Sequence, residues 1–207
     1  MEYGIQMYSL RDATEKDLKA ALAAVAEMGY KHVEFAGFFG NSAEDVRSWL
    51  DEFGLRVSGT HTGAAALTEE NLADTIAYHK TIGCSRIIIP GHDLSTAAKI
   101  DEFVELVNKV QPILAAEGIT LGYHNHSHEF MLLENGKTMM DMLVEGLDPK
   151  KTSFVLDTYW VQHGGGDVRY WIEKLAGRID ILHLKDMKRL PVMHDLRGWQ
   201  MFTEIGN

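Results

Sequence analysis

Glu117-Gly118-Ile119-Thr120-Leu121-Gly122-Tyr123-His124-Asn125-His126-Ser127-His128-Glu129-Phe130 holds one full repeat junction of this chain. A helical pattern that opens at Ser95 reaches Glu117 and is stopped by Gly118. A short apolar run follows, Ile119 to His124, of the length and composition of a buried strand. The run ends in a dense polar cluster. Helix, glycine, strand and polar end recur in that order along the whole sequence.

Upstream, Ile5 to Tyr8 reads as a strand. Leu18, Ala21, Leu22 and Val25 then fall at helical spacing between Thr14 and Met28, and Gly29 stops them. His32 to Ala36 is the second strand. Ser42 is placed to cap the next helix, with Asp45 in its first turn. That helix carries Val46, Trp49, Leu50 and Phe53 to a stop at Gly54. Leu55 to Thr60 is a strand, Thr68 to Ile82 a helix closed by Gly83, and Arg86 to Pro90 a strand. The long helix from Ser95 contains Pro112, where a kink or break is expected. Downstream, Lys137 to Glu145 is helical, Thr152 to Asp157 a strand, Asp167 to Ala176 a helix closed by Gly177, and Ile179 to Leu184 the seventh strand.

The period of about 25 to 35 residues is that of βα units, and it implies a parallel sheet. Two architectures satisfy it: a closed (β/α)8 TIM barrel and an open doubly wound sheet. No glycine-rich phosphate fingerprint follows the first strand. Polar residues follow nearly every strand: Gln6, Glu34, His61, His92, His124, Asp157 and Lys185. A doubly wound sheet concentrates its chemistry at one switch point, whereas a barrel collects it from all its strand ends. The distribution favours the barrel. Seven strands are found and the last residues, Phe202 to Asn207, stop inside a loop. The expectation is therefore a single domain over residues 1–207, a TIM barrel truncated after about seven β/α units and incomplete at its C-terminus. A seven-unit barrel closed by other means is the alternative.

Composition narrows the function classes. Hydrophobic residues at 45% and charged residues at 24% fit an ordinary globular domain. The formal net charge is −10, with no Lys/Arg run, which disfavours nucleic acid as a partner. No stretch approaches membrane-spanning length and no signal peptide is evident at the N-terminus, so a cytoplasmic protein without membrane attachment is expected. The lone Cys84 forms no internal disulfide and reads as a small buried residue.

Chemistry concentrates in three segments. In the first, His124, His126 and His128 stand with Glu129 directly after strand five. Alternation puts His124 and His126 on one face. If that face looks into the barrel mouth, two nitrogen ligands converge, a set suited to Zn²⁺, Mn²⁺, Fe²⁺ or Co²⁺. A hydrogen-bonded strand end without metal is the alternative. The second segment, Phe154 to Trp160, delivers Asp157 to a strand C-terminus, where an acid also serves as a helix cap. The third, Ile181 to Asp186, puts His183 and Lys185 on one face. His124, Asp157 and His183 come from adjacent strands and are the candidate metal ligands. Glu34 on the second strand is flanked by Val33 and Phe35 and so points opposite to them; a buried Glu there needs a partner, either a substrate hydroxyl or a structural Arg or His. His61 faces substrate or is a plain loop residue. Trp160 stacks on a sugar ring or packs. His163-Gly164-Gly165-Gly166 lacks the P-loop Lys-Ser/Thr and reads as a mobile loop.

At these residues the sequence resembles the sugar phosphate isomerase/epimerase family with the xylose isomerase-like TIM barrel. Gly4 to Asp12, Tyr123 to Phe130, Leu156 to Trp160 and His183 to Asp186 carry the resemblance. It implies a divalent-metal enzyme (Mn, Zn, Co or Mg) acting on a small-molecule carbohydrate substrate. Asp157 and His183 fall on the family's second and third ligand positions. At the first, the common Glu-Asn-His pattern is replaced by His124-Asn125-His126, so His124 or Glu129 supplies that ligand. The strand-eight Glu has no counterpart here. The resemblance implies isomerisation or epimerisation of a sugar or keto sugar by α-proton abstraction through a metal-stabilised enediolate. Glu129 is the candidate base and Lys185 the holder of an oxyanion or phosphate; His126, Glu34, His61 and Trp160 are substrate-binding candidates. A lyase or dehydratase acting on a 3-keto sugar or an inosose-like compound is the runner-up. A DNA-repair endonuclease and a non-catalytic binding protein complete the field. Oligomeric state is left open, a homo-oligomer included.

Overall fold

The computed structural model describes residues 3–188 and 201–206. In chain order the elements are β1 Gly4–Gln6, α1 Arg11–Thr14, α2 Leu18–Glu27, β2 His32–Phe35, α3 Ala43–Phe53, β3 Arg56–His61, α4 Leu72–Thr81, β4 Arg86–Ile89, α5 Ala97–Ala116, β5 Thr120–His124, α6 Met139–Gly146, β6 Thr152–Asp157, α7 Thr158–His163, α8 Val168–Lys174, β7 Ile179–His183, β8 Asp186–Met187 and β9 Phe202–Thr203. β1 to β7 follow one another in sheet order as they do in sequence, and β8 and β9 form a separate ribbon. The chain makes two compact units, Met1–Pro90 with Pro112–Leu121, and Gly91–Gln111 with Gly122–Asn207.

In the first unit β1, β2, β3 and β4 pair in parallel. Thr120 N–H donates to the Ser85 carbonyl at 2.9 Å, which brings the start of β5 beside β4. Caps set the helix ends. Ser42 caps α3 as expected, accepting from Asp45 N–H at 3.1 Å, and Gly54 closes it in the left-handed region. α2 starts later than its periodicity suggests because Asp17, not Thr14, is its cap. The first strand is shorter than the apolar run. Gln6 Oε1 takes Tyr8 N–H at 2.7 Å and turns Met7–Leu10 into a 3-10 turn.

The core of this unit interleaves Leu22 and Val25 of α2, Val33 and Phe35 of β2, and Val46 and Leu50 of α3. Each such side chain contributes about 1.5–3 kcal/mol by leaving water. Cys84 is buried here, and burial pushes its thiol up to about 11, which makes it inert. A second buried polar group is His79 of α4. Its Nε2 lies 2.7 Å from Thr60 Oγ1, and its Nδ1 lies 2.6 Å from the Thr75 carbonyl.

In the second unit β6 and β7 pair in parallel from Phe154↔Ile179 to Asp157↔His183. All six residues of β6 are buried, as expected of a strand covered on both faces. β7 alternates partly buried and exposed positions. α6 begins with a capping box made by Thr138 and Asp141. α5 runs unbroken through Pro112, so the expected break does not occur. Just before that proline, the Gln111 side-chain amide donates to the Lys151 carbonyl at 2.9 Å. Among the described residues no helix is long and apolar enough to cross a membrane.

Candidate metal centre

The second unit gathers its chemistry around one carboxylate. Asp157 ends β6 and is fully buried. Its two oxygens do different work. Oδ1 accepts Trp160 N–H at 3.1 Å and caps α7. Oδ2 faces three nitrogens: Lys185 Nζ at 2.6 Å, His124 Nε2 at 3.4 Å and His183 Nδ1 at 3.5 Å. The capping and ligand readings of this acid are therefore compatible, one oxygen to each.

Neighbouring residues fix that geometry. Asn125 brackets the Asp157 backbone: its Oδ1 accepts Asp157 N–H at 2.9 Å and its Nδ2 donates to the Asp157 carbonyl at 3.3 Å. The Thr158 hydroxyl donates to the His183 carbonyl at 3.0 Å and ties the end of β7 to α7. Burial by itself pushes the Asp157 carboxyl up. His124, His183 and Lys185 overcome that and hold it well below the usual carboxylate range.

His124 Nε2, Asp157 Oδ2 and His183 Nδ1 lie within 4.8 Å of one another. Ligands bonded to one Zn²⁺-like ion at about 2.1 Å are separated by roughly 3.0–3.5 Å in octahedral or tetrahedral geometry. The separations of the two imidazoles from Oδ2 match that range, and two nitrogens with one carboxylate oxygen are a common donor set for such ions. The residues fit a divalent cation.

Glu129, expected as the base or as an alternative first ligand, has partners on both carboxylate oxygens. It is fully buried in the turn after β5. Oε1 accepts the Tyr123 hydroxyl at 2.7 Å and lies 3.2 Å from His128 Nε2; Oε2 accepts His126 N–H at 2.8 Å. Burial pushes the Tyr123 hydroxyl well above its ordinary value, with the Glu129 charge adding to the effect. Glu129 thus has the geometry of a holder of the turn. His126 is partly buried, its ring 4.7 Å from that of His124 and 5.5 Å from that of Trp160.

Trp160 lies in an aromatic cluster. Its ring is 4.9 Å from Tyr159 and 5.7 Å from Phe202, and Phe202 is 4.2 Å from Tyr159. Lys185 Nζ lies 5.4 Å from the centre of the Phe202 ring. Sequence reading missed Phe202, because its chain segment reads as loop. The β8–β9 ribbon brings it in through Met187↔Phe202 pairing. Strand alternation puts Asn125 on the face opposite His124 and His126 and suggests no task for it; its bracket role is readable only from distances.

The His163-Gly164-Gly165-Gly166 segment is a packed turn, which corrects its reading as a mobile loop. A Cβ on Gly164 would lie 2.6 Å from the Ser127 carbonyl oxygen and 2.8 Å from Phe130 Cδ2. The glycines allow close approach to the turn that carries Glu129.

Glu34 and His61 belong to the first unit. His61 Nε2 is 2.8 Å from Glu34 Oε1, and Gln6 Nε2 is 3.4 Å from His61 Nδ1. Of the partners open to a buried Glu34, a substrate hydroxyl or an Arg or His, the structure provides the imidazole of His61. His92 stacks on Phe103, ring centres 4.6 Å apart.

A family model described as xylose isomerase-like TIM barrel matches residues 22–204. An inosose dehydratase of Mesomycoplasma hyopneumoniae (strain 7448) is 22% identical over 191 residues, covering 82% of this chain and 62% of its own length. The chain thus spans about three fifths of that curated relative. A solved sugar phosphate isomerase/epimerase of Parabacteroides distasonis ATCC 8503 is 26% identical, with a TM-score of 0.79, 95% of this chain and 83% of that chain covered. A family 2 AP endonuclease of Brucella melitensis shares the fold at 20% identity, with a TM-score of 0.63, 79% of this chain and 72% of that chain covered.

Proposed function

This chain belongs to the xylose isomerase-like TIM barrel family, and from that premise we propose that its protein is a divalent-metal isomerase or epimerase of a sugar or keto sugar. The observation that carries the proposal is the convergence of His124 and His183 on Asp157 Oδ2 at 3.4 and 3.5 Å. Those three residues would hold the cation. When bound, the cation supplies Lewis-acid polarisation of a carbonyl and of negative charge developing on its oxygen.

The chain's own residues supply the rest. In this reading His126 takes the proton α to the carbonyl; its ring beside that of His124 and the hold of Glu129 on its backbone support that role. An imidazole is suited to exchange protons near neutral pH. Glu129 positions that turn; the role of base suggested by its sequence passes to His126. Trp160 and Phe202 offer an apolar wall for the C–H face of a sugar ring. Lys185 supplies positive charge for an oxyanion or phosphate of the substrate.

The experiment is turnover of keto sugars in D2O with added Mn²⁺, followed by NMR and mass spectrometry. Proton abstraction puts solvent deuterium on the substrate carbon, and Asp157→Asn abolishes turnover. Turnover without deuterium at carbon would replace this mechanism with hydride shift. The inosose dehydratase relative favours a second reading. The same abstraction followed by loss of a β-hydroxyl would give a product lighter by one water, which the mass spectrum separates from isomerisation.

A further inference from the structure

The half-exposed Lys185 side chain donates to Asp157 Oδ2 at 2.6 Å, the same oxygen that His124 and His183 approach. A cation bonded there would lie about 2.1 Å from Oδ2. It would then sit roughly 4 Å from the ammonium, close enough for strong repulsion in a poorly screened site. Asp157 has no freedom to resolve the conflict: Trp160 N–H holds its Oδ1, and Asn125 brackets its backbone.

The Lys185 backbone is likewise fixed. Its N–H donates to Thr158 Oγ1 at 3.3 Å, and its carbonyl lies 3.3 Å from the same hydroxyl, whose single proton it shares with the nearer His183 carbonyl. The mobile part is the side chain, with 35% of its surface exposed and Nζ within reach of the Phe202 face. Four rotatable bonds let the ammonium leave while the main chain stays.

We propose that Lys185 is an exchangeable counter-charge for Asp157: the ammonium and a divalent cation are alternative partners of Oδ2, and cation entry releases the ammonium toward an anionic oxygen of the substrate. This rests on the metal-centre reading above and deepens it. It makes cation and substrate bind in that order, because the ammonium is free for substrate only once the cation has taken its place.

The test is Mn²⁺ titration of the wild type, Lys185→Met, Lys185→Gln and Asp157→Asn, with unbound Mn²⁺ read by its EPR signal. Removing a competing positive charge should tighten Mn²⁺ binding by at least about ten-fold in Lys185→Met. Lys185→Gln, which keeps a donor without the charge, should shift in the same direction, and it serves if the Met variant folds poorly. Without added Mn²⁺ the neutral variants should melt lower than wild type, and with Mn²⁺ they should gain more. Equal or weaker Mn²⁺ binding in both neutral variants overturns the exchange, while a wild type that binds and an Asp157→Asn that does not leave the metal centre standing. No binding by any of the four proteins removes both.

Discussion

Glu129 and His79 are buried polar side chains whose energetics follow from their partners. Glu129 receives Tyr123 O–H and His126 N–H on different oxygens. In Glu129→Gln one of those donors must face an amide NH2. Leaving a buried donor unmatched costs about 1–3 kcal/mol. A melting-temperature drop of several degrees is therefore expected, together with weaker Mn²⁺ binding through the loosened turn. An unchanged melt would show that the turn does not depend on this carboxylate. His79 responds to pH instead. Burial lowers its pKa from 6.5, opposed by the Thr75 carbonyl. The unfolded chain therefore takes up the proton first as pH falls. The stability from this group is complete above 6.5 and is lost as pH drops through the lower folded value. His79→Leu should melt lower at neutral pH, because Thr60 loses its imidazole partner, yet show a smaller decline between about pH 7.5 and pH 5.5. Parallel declines in both proteins would assign the acid sensitivity elsewhere.

Elements explain which readings transferred from sequence to structure. β6 runs from Thr152 to Asp157 as the apolar pattern indicates, and α3 starts and stops at Ser42 and Gly54, because strong local signals agree with the packing there. The convergence of His124, Asp157 and His183 at the ends of β5, β6 and β7 was legible for the same reason: three apolar runs each deliver a polar residue to a strand C-terminus. What was not legible depends on distance rather than periodicity. α7 follows Asp157 without a loop, so its six residues show no separate boundary. The β8–β9 ribbon joins Asp186–Met187 to Phe202–Thr203 across a wide sequence gap, and two-residue strands leave no pattern. The glycine turn is the clearest case, since composition alone suggests freedom where the structure shows close approach. Gly164→Ala would place its Cβ 2.6 Å from a backbone oxygen, which cannot yield cheaply. A loss of about 1–3 kcal/mol is expected from such overpacking. Gly166→Ala meets only side-chain atoms, none closer than 3.0 Å, and should cost less. Denaturant melts of the two variants rank them, and the reverse order would mean that the turn can move away from Ser127.

At the scale of the whole molecule, fold and function have to be argued separately. Kinship with the Brucella melitensis AP endonuclease is a likeness of fold, at 20% identity, and one barrel hosts many chemistries. Charge discriminates between them. Binding to duplex DNA draws on phosphate neutralisation by Lys and Arg, with affinity falling steeply as salt displaces the released counterions. This chain has 20 basic against 30 acidic side chains, and the formal net charge of −10 repels a polyanion at long range. A small, neutral or singly anionic carbohydrate is far less sensitive to that field. Fluorescence anisotropy with a labelled abasic duplex should therefore show no binding at low salt, where electrostatic attraction is strongest, and no change when salt is raised. Mn²⁺ should not alter this, because one dication cannot reverse the surrounding field. Saturable binding at low salt that fades with added salt would instead locate a cationic surface that the total charge conceals, and would move the nuclease reading ahead of the sugar one.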